Sequence, residues 1–275
     1  MGPVARGDQA AAQRAVPKES PPIAWLRAPG REPGREPAPS TSQWRPASVV
    51  STSRTARARP VGWGAPIEVA VHGRTELTIL AEVDAQTAEI YDAIAPDWAA
   101  TRGEAPDGLG RHFRQLAGSG LVADLGCGPG RYLAQISAPV VGVDVSLEML
   151  FQARRRPGGY PLVRGDLESL PFSDGSLASA FARHSYLHVP KERVGYALAE
   201  LSRTLRRGGL LMLSLIEGTH DGRDLPGDDF PSRYFGFWTA GELGPALAGS
   251  GFTDINIEQA PRQHGEGDLL VTARR

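Results

Sequence analysis

An α/β domain, a doubly wound parallel sheet with helices on both faces, is the fold this sequence predicts. Three observations carry it. Short apolar runs alternate with helical patterns from residue 121 onward, the order a parallel sheet with crossover helices requires. The first run ends in a glycine-rich turn, L-V-A-D-L-G-C-G-P-G-R, at residues 121–131. The second, V-V-G-V-D-V at residues 140–145, is a β-branched stretch of the buried-strand kind that reaches an acid, Asp144.

The elements follow in order. Residues 76–95 read as a helix ending in I-Y-D-A-I-A-P-D-W, and residues 107–116 as a second helix. Then come strand 121–125, helix 130–136, strand 139–144, helix 146–155 capped by Ser146, and strand 160–164. Residues 177–182, L-A-S-A-F-A, form the fourth strand. Residues 191–206 make an amphipathic helix with Val194, Leu198, Leu201 and Leu205 on one side. The glycines of R-R-G-G are expected to end that helix in a left-handed cap and open a fifth strand at 206–215. A long loop, 217–234, has the length of a lid or substrate loop. Helix 238–250, strand 251–257 and a last strand at 268–272 complete the chain.

Composition separates a tail from this domain. Ten of the 23 prolines fall in the first 60 residues, with ten Lys/Arg against four acids. That segment carries about +6, leaving the remainder near −7. It repeats G-R-E-P at 30–33 and 34–37. Residues 1–60 are therefore read as a disordered Pro/Arg-rich tail, unable to bury enough apolar surface to offset its ordering entropy. A phosphate-binding arm centred on Arg54, Arg57 and Arg59 is the lesser reading, because the charge is dispersed and lacks interleaved aromatics. The domain itself is assigned to residues 61–275. The chain has no 18-residue apolar run and no apolar segment near Met1. A soluble cytoplasmic protein with no membrane span is the default. One cysteine, Cys127, excludes an internal disulfide and a cysteine-cluster zinc site. The acids Asp221, Asp224, Asp228 and Asp229 read as solvated loop residues, and no metal is assigned.

The glycine turn discriminates between cofactors. A dinucleotide fingerprint places its third glycine three residues after the second. Here that position is Arg131, and Gly126, Gly128 and Gly130 alternate behind Asp124. This D-x-G-x-G-x-G pattern resembles motif I of the class I S-adenosylmethionine (SAM)-dependent methyltransferases. The resemblance implies that the loop holds the amino-acid end of SAM. Asp144 lies 18 residues beyond Gly126, near the offset at which a carboxylate accepts from both ribose hydroxyls. Asp144 and its neighbour Val145 are assigned to the cofactor on that ground, and Met149 is placed near the adenine. Residues 162–172, L-V-R-G-D-L-E-S-L-P-F, resemble the family's next motif. It implies that Asp166 meets the adenine amine and the Leu167 amide meets the ring. Cys127 belongs to the cofactor loop as a small buried filler. The string at 91–102 resembles the Y-D-x-I-A opening of methyltransferases related to ubiquinone and menaquinone biosynthesis enzymes. There it implies a lid, with Tyr91 either approaching SAM or packing within its helix. For the whole chain the resemblance implies a Rossmann-like, seven-stranded, mostly parallel sheet whose last strand inserts antiparallel.

Chemistry is expected beyond strand four, at the carboxyl ends of the strands. Methyl transfer from a sulfonium needs alignment and exclusion of water, plus a base when the acceptor must lose a proton. His184 is the candidate base; the alternative is a polar residue holding the loop through a backbone hydrogen bond. Arg183 is expected to touch SAM through its backbone, or to pair with an acidic acceptor or the SAM carboxylate. His188 reads as a helix-start residue. Residues 232–235 with Phe237 and Trp238 supply aromatics either to an acceptor pocket or to packing of the final helix. A small-molecule acceptor is the leading expectation. The alternatives are a tRNA wobble-uridine-type methyltransferase, with a nucleic-acid acceptor, and a SAM-binding protein without transfer. A nicotinamide oxidoreductase is least favoured, since the third glycine is misplaced.

Overall fold

The computed structural model describes residues 82–105, 108–136, 139–260 and 267–275. The tail assigned to 1–60, and the opening residues of the first expected helix, lie outside them. Strands β1 (Val122–Leu125), β2 (Val140–Asp144), β3 (Leu162–Arg164), β4 (Leu177–Arg183) and β5 (Leu205–Ile216) pair in parallel. Two more, β8 (Thr253–Ala260) and β9 (Asp268–Arg274), complete a seven-stranded sheet in the order β3-β2-β1-β4-β5-β9-β8. Strand β9 runs antiparallel between β5 and β8, as expected.

Alternation along each strand decides which face a side chain joins. Val122, Val140, Leu210 and Met212 turn to one side, against helices α2 (Leu109–Leu116), α3 (Leu133–Ile136) and α4 (Leu147–Arg154). Ala123, Val141, Leu211 and Leu213 turn to the other, where α5 (Val194–Thr204) and α6 (Ala240–Gly249) pack. Both faces are covered, so the strands read as nearly unbroken apolar runs. Each fully buried leucine such as Leu198 or Leu213 contributes about 1.5–3 kcal/mol.

Three expectations need correction. Helix α1 (Glu82–Arg102) runs through Pro96 instead of stopping before it. Proline there removes one amide donor, yet both halves of the helix are tied down elsewhere in the fold. The R-R-G-G glycines do not cap α5. That helix ends where Leu205 turns extended (φ −72°, ψ 139°), and Gly208 (φ +70°) bends the start of β5. The Gly208 amide donates to the Arg275 carbonyl, so the turn serves β9 instead. Finally, the 217–234 loop is not wholly irregular. β6 (Asp221–Gly222) pairs with β7 (Phe235–Gly236) in a small antiparallel ribbon. Among the described residues no helix is long and apolar enough to cross a membrane.

Candidate functional site

From β1 the chain winds outward to β2 and β3, then returns beside β1 as β4. That reversal opens a crevice at the carboxyl ends of β1 and β4, where open α/β sheets bind ligands. The glycine turn lies on one side of it. Gly126, Gly128 and Gly130 all have left-handed φ (+69°, +53° and +74°), where a side chain would be strained. Gly126 is also sterically required: a Cβ there would stand 2.3 Å from Cβ of Ser185. Ser185, from the chain beyond β4, donates to the Leu125 carbonyl at 2.8 Å and holds the two strand ends together. A Cβ on Gly128 would meet nothing within 4 Å, so the backbone there faces open space.

Two carboxylates stand beneath the turn. Asp144 ties it to the next helix: its Oδ2 accepts from the Gly128 amide at 2.7 Å and its Oδ1 from the Ser146 amide at 2.9 Å. Burial pushes its carboxyl up to about 6, against the pull of those two amides. Asp124 is 2% exposed, and its Oδ2 has no hydrogen-bond partner. Burial, with the nearby Asp144 charge, pushes Asp124 up to about 8. Ser146 caps α4 as expected, accepting from the Met149 amide. Its hydroxyl in turn donates to Asp92 on α1, which also accepts from the Glu148 amide. Met149 is 1% exposed, and Cys127 is buried within the turn. Asp166 closes a short turn, its Oδ1 accepting from the Glu168 amide, with Leu167 packed on the main core.

Across the crevice, His184 sits at the end of β4 with φ +53°. Such strain costs about 1–3 kcal/mol and clusters at functional sites. Its Nε2 lies 3.1 Å from Asp268 Oδ1 and 2.7 Å from Arg183 Nη1. Arg183 Nη1 also reaches Asp268 Oδ2 and Ser214 Oγ, each at 2.9 Å, and its Nε reaches Tyr132 Oη at 3.3 Å. The Arg183 guanidinium thus turns to the protein's own carboxylate, Asp268. Burial works to raise Asp268, but the bonds and charges of His184 and Arg183 outweigh it and hold its carboxyl at about 2.

A third group closes the site from α1. Tyr91 Oη lies 2.8 Å from His188 Nε2 and 2.9 Å from Arg233 Nη1. His188 ends a 3-10 turn, Tyr186–His188, and its ring is engaged by both Tyr91 and the Tyr234 carbonyl. Burial keeps that ring neutral, pushing it down to about 4. Arg233, 4% exposed, is paired with Asp228, and Tyr234 donates to Asp221. Of the four loop acids read as solvated, Asp228 is therefore part of the interior, while Asp221 stays exposed and accepts from Tyr234. Among the described residues no three His, Cys, Asp or Glu side chains group as a metal site.

A family profile described as "Methyltransferase domain" matches residues 123–213, from the glycine-turn strand to the middle of β5. This chain carries a class I SAM-dependent methyltransferase domain. An uncharacterized 37.1 kDa protein in transposon TN4556 of Streptomyces fradiae is 42% identical over 99 residues, 33% of this chain and 28% of that protein. Malonyl-acyl-carrier-protein O-methyltransferase of Legionella pneumophila is 34% identical over 103 residues, 34% of this chain and 36% of that protein. The match thus spans about a third of these relatives' own length. The fold matches 1,6-didemethyltoxoflavin-N1-methyltransferase of Burkholderia thailandensis, solved with 1,6-didemethyltoxoflavin and S-adenosylhomocysteine (SAH). The TM-score is 0.56 at 22% identity, over 75% of this chain and 93% of that one.

The cofactor of the methyltransferase domain is SAM, and the residues present fit it. The backbone at Gly128 is open to a ligand. The unpartnered, buried oxygen of Asp124 calls for a donor, and SAM carries an ammonium. The crevice brings the glycine turn, Asp144, Tyr91, Arg183 and His184 to one end of the sheet. Sequence reasoning missed Asp268, Asp92 and Asp228. Asp268 is 84 residues from His184 and carried no signal beyond opening a strand. Asp92 follows Tyr91 in the string already noted, but nothing in that string shows that it reaches Ser146.

Proposed function

We propose that this chain transfers a methyl group from SAM to a small-molecule acceptor. The observation that carries the reading is the open glycine turn beside two acids, at the carboxyl ends of β1 and of β4, the strand that His184 directly follows. SAM supplies an electrophilic methyl on a sulfonium and departs as a neutral thioether. The protein's part is to bind, align and exclude water. In this reading Gly126, Cys127, Gly128 and Gly130 cradle the amino-acid end with Asp124. Asp144 and Val145 take the ribose, while Met149, Asp166 and Leu167 border the adenine. Tyr91 and the Arg183 backbone close the site. The Legionella relative's name describes transfer to oxygen on a malonyl group; an oxygen that carries a proton needs a base, whereas an ionised carboxylate does not. We propose His184 as the base, its ring held through Nε2 by Asp268.

The deciding experiment is calorimetric titration of the chain with SAM and SAH. Micromolar binding of both is the expected result; no binding would remove the reading. His184→Gln is expected to lower turnover about 10²–10⁴-fold with SAH affinity little changed, which SAH-release assays and calorimetry check together. Full turnover in the variant would dismiss His184 as the base.

Asp124 gives a pH prediction. With its carboxyl at about 8, it holds a proton at pH 7 in the free protein. A cofactor ammonium beside it favours the ionised form. Binding should therefore release a proton, and affinity should rise as pH increases toward 8. Calorimetry in buffers of different ionisation enthalpy measures that proton directly. Asp124→Asn should abolish its release; a binding heat independent of buffer in the unmodified protein would contradict the assignment.

A further inference from the structure

Tyr91, His188 and Arg233 come from three separate segments and form one directional hydrogen-bond set. Nδ1 of His188 lies 2.7 Å from the Tyr234 carbonyl oxygen, which can only accept. Nδ1 therefore carries the hydrogen, and Nε2 of the neutral ring carries the lone pair. Tyr91 must donate its hydroxyl proton to that Nε2. Arg233 Nη1 donates to the same hydroxyl oxygen. The only proton of Tyr91 is thus committed, and towards any third group its oxygen can accept but not donate.

The surroundings are flat and apolar. Trp98 stands edge-on to Tyr91 with ring centroids 5.6 Å apart, and Phe230 lies 5.9 Å from Trp98. The Arg233 charge is answered by Asp228, and the exposed Arg102 guanidinium lies 4.3 Å from the centre of the Trp98 ring. Tyr91, Trp98, His188 and Phe230 all remain partly exposed. Asp92, next to Tyr91, accepts from the Ser146 hydroxyl, and the Ser146 amide donates to Asp144, while His188 lies in the turn that follows β4; the pair thus joins the Asp144 side of the crevice to the end of β4.

We infer that this group is the subsite that anchors the acceptor and that it takes a hydroxyaromatic molecule, with its ring against Trp98 and Phe230 and an anchoring O–H, not the group deprotonated by His184, donated to Tyr91 Oη. The inference rests on the proposed function and names the substrate class within it. An ether of the same shape would bring an oxygen without a proton against an oxygen that cannot donate. A site built to bond a hydroxyl rejects an analogue lacking it far more strongly than it rejects a change of bulk.

The full chain, first shown by calorimetry to bind SAH and then saturated with it, is titrated with 2-naphthol and with 2-methoxynaphthalene, followed by probe fluorescence. 2-Naphthol is expected to bind at least about tenfold more tightly. In Tyr91→Phe that ratio should fall to about twofold or less, with a cooperative melting transition as the check on folding. If Tyr91→Phe does not melt cooperatively, His188→Gln replaces it. Its amide can donate to Tyr91 and release the tyrosine proton, so the ratio should again collapse. Equal affinities in the unmodified chain, no binding of either probe, or a ratio that survives the substitution would overturn the inference. Failure of SAH to bind removes the proposed function itself, whereas SAH binding without a naphthol preference removes the subsite alone.

Discussion

Asp144→Ala is expected to weaken SAM and SAH binding by about 1.5–3 kcal/mol, the range for hydrogen bonds to a charged acceptor. That corresponds to a loss of roughly ten- to a hundredfold. Two effects combine in it. The carboxylate is proposed to accept from the ribose hydroxyls, and it already accepts from the Gly128 and Ser146 amides. Removing it therefore slackens the glycine turn and the start of α4 together. Asp144→Asn separates the two, because an amide oxygen can still accept from one backbone amide while its nitrogen faces the other as a donor. Calorimetric titration of both variants against SAH is the measurement. An unchanged affinity in Asp144→Ala would mean that the carboxylate serves only the protein's own amides and that the ribose is held elsewhere.

Asp228→Ala is expected to destabilise the fold by about 3–5 kcal/mol, because it leaves an uncompensated buried charge. The Arg233 and Asp228 side chains are each 5% exposed, and the guanidinium lies against the rings of Tyr91, Trp98, Phe230 and Phe235. Water cannot take over the role of the missing carboxylate there. The pair itself need not be a net source of stability, since an apolar replacement of both partners is often neutral or better. Asp228→Leu combined with Arg233→Met should accordingly recover much of what Asp228→Ala loses. Urea denaturation with a common m-value reads out both. A loss below about 1 kcal/mol in Asp228→Ala would indicate that the loop opens and hydrates Arg233, as exposed pairs do.

The proposed cofactor half of the site could be drawn from the sequence because its parts are local. Asp124, the three glycines and Asp144 lie within 21 consecutive residues, and a strand, a turn and a helix suffice to bring them together. Ser146 could be read as a cap for the same reason: capping is settled within one helical turn. The misreadings share the opposite property. Pro96 and the R-R-G-G glycines were judged by intrinsic preference, but contacts across the fold decided where α1 and α5 end. Asp228 was judged by composition, although an arginine elsewhere in the loop draws it inward.

The proposed acceptor half shows the limit more sharply. Tyr91 and His188 are separated by 97 positions, and Tyr91 and Arg233 by 142. No periodicity or spacing spans such distances. By itself the sequence determined the fold class and the glycine turn at the end of β1, because hydrophobic alternation and glycine geometry are properties of short segments. Only the tertiary structure decided that His184 has Asp268 for a partner and that the Tyr91 proton is committed to His188. A hydrogen bond's direction depends on every donor and acceptor brought within about 3 Å, and folding alone selects which groups those are.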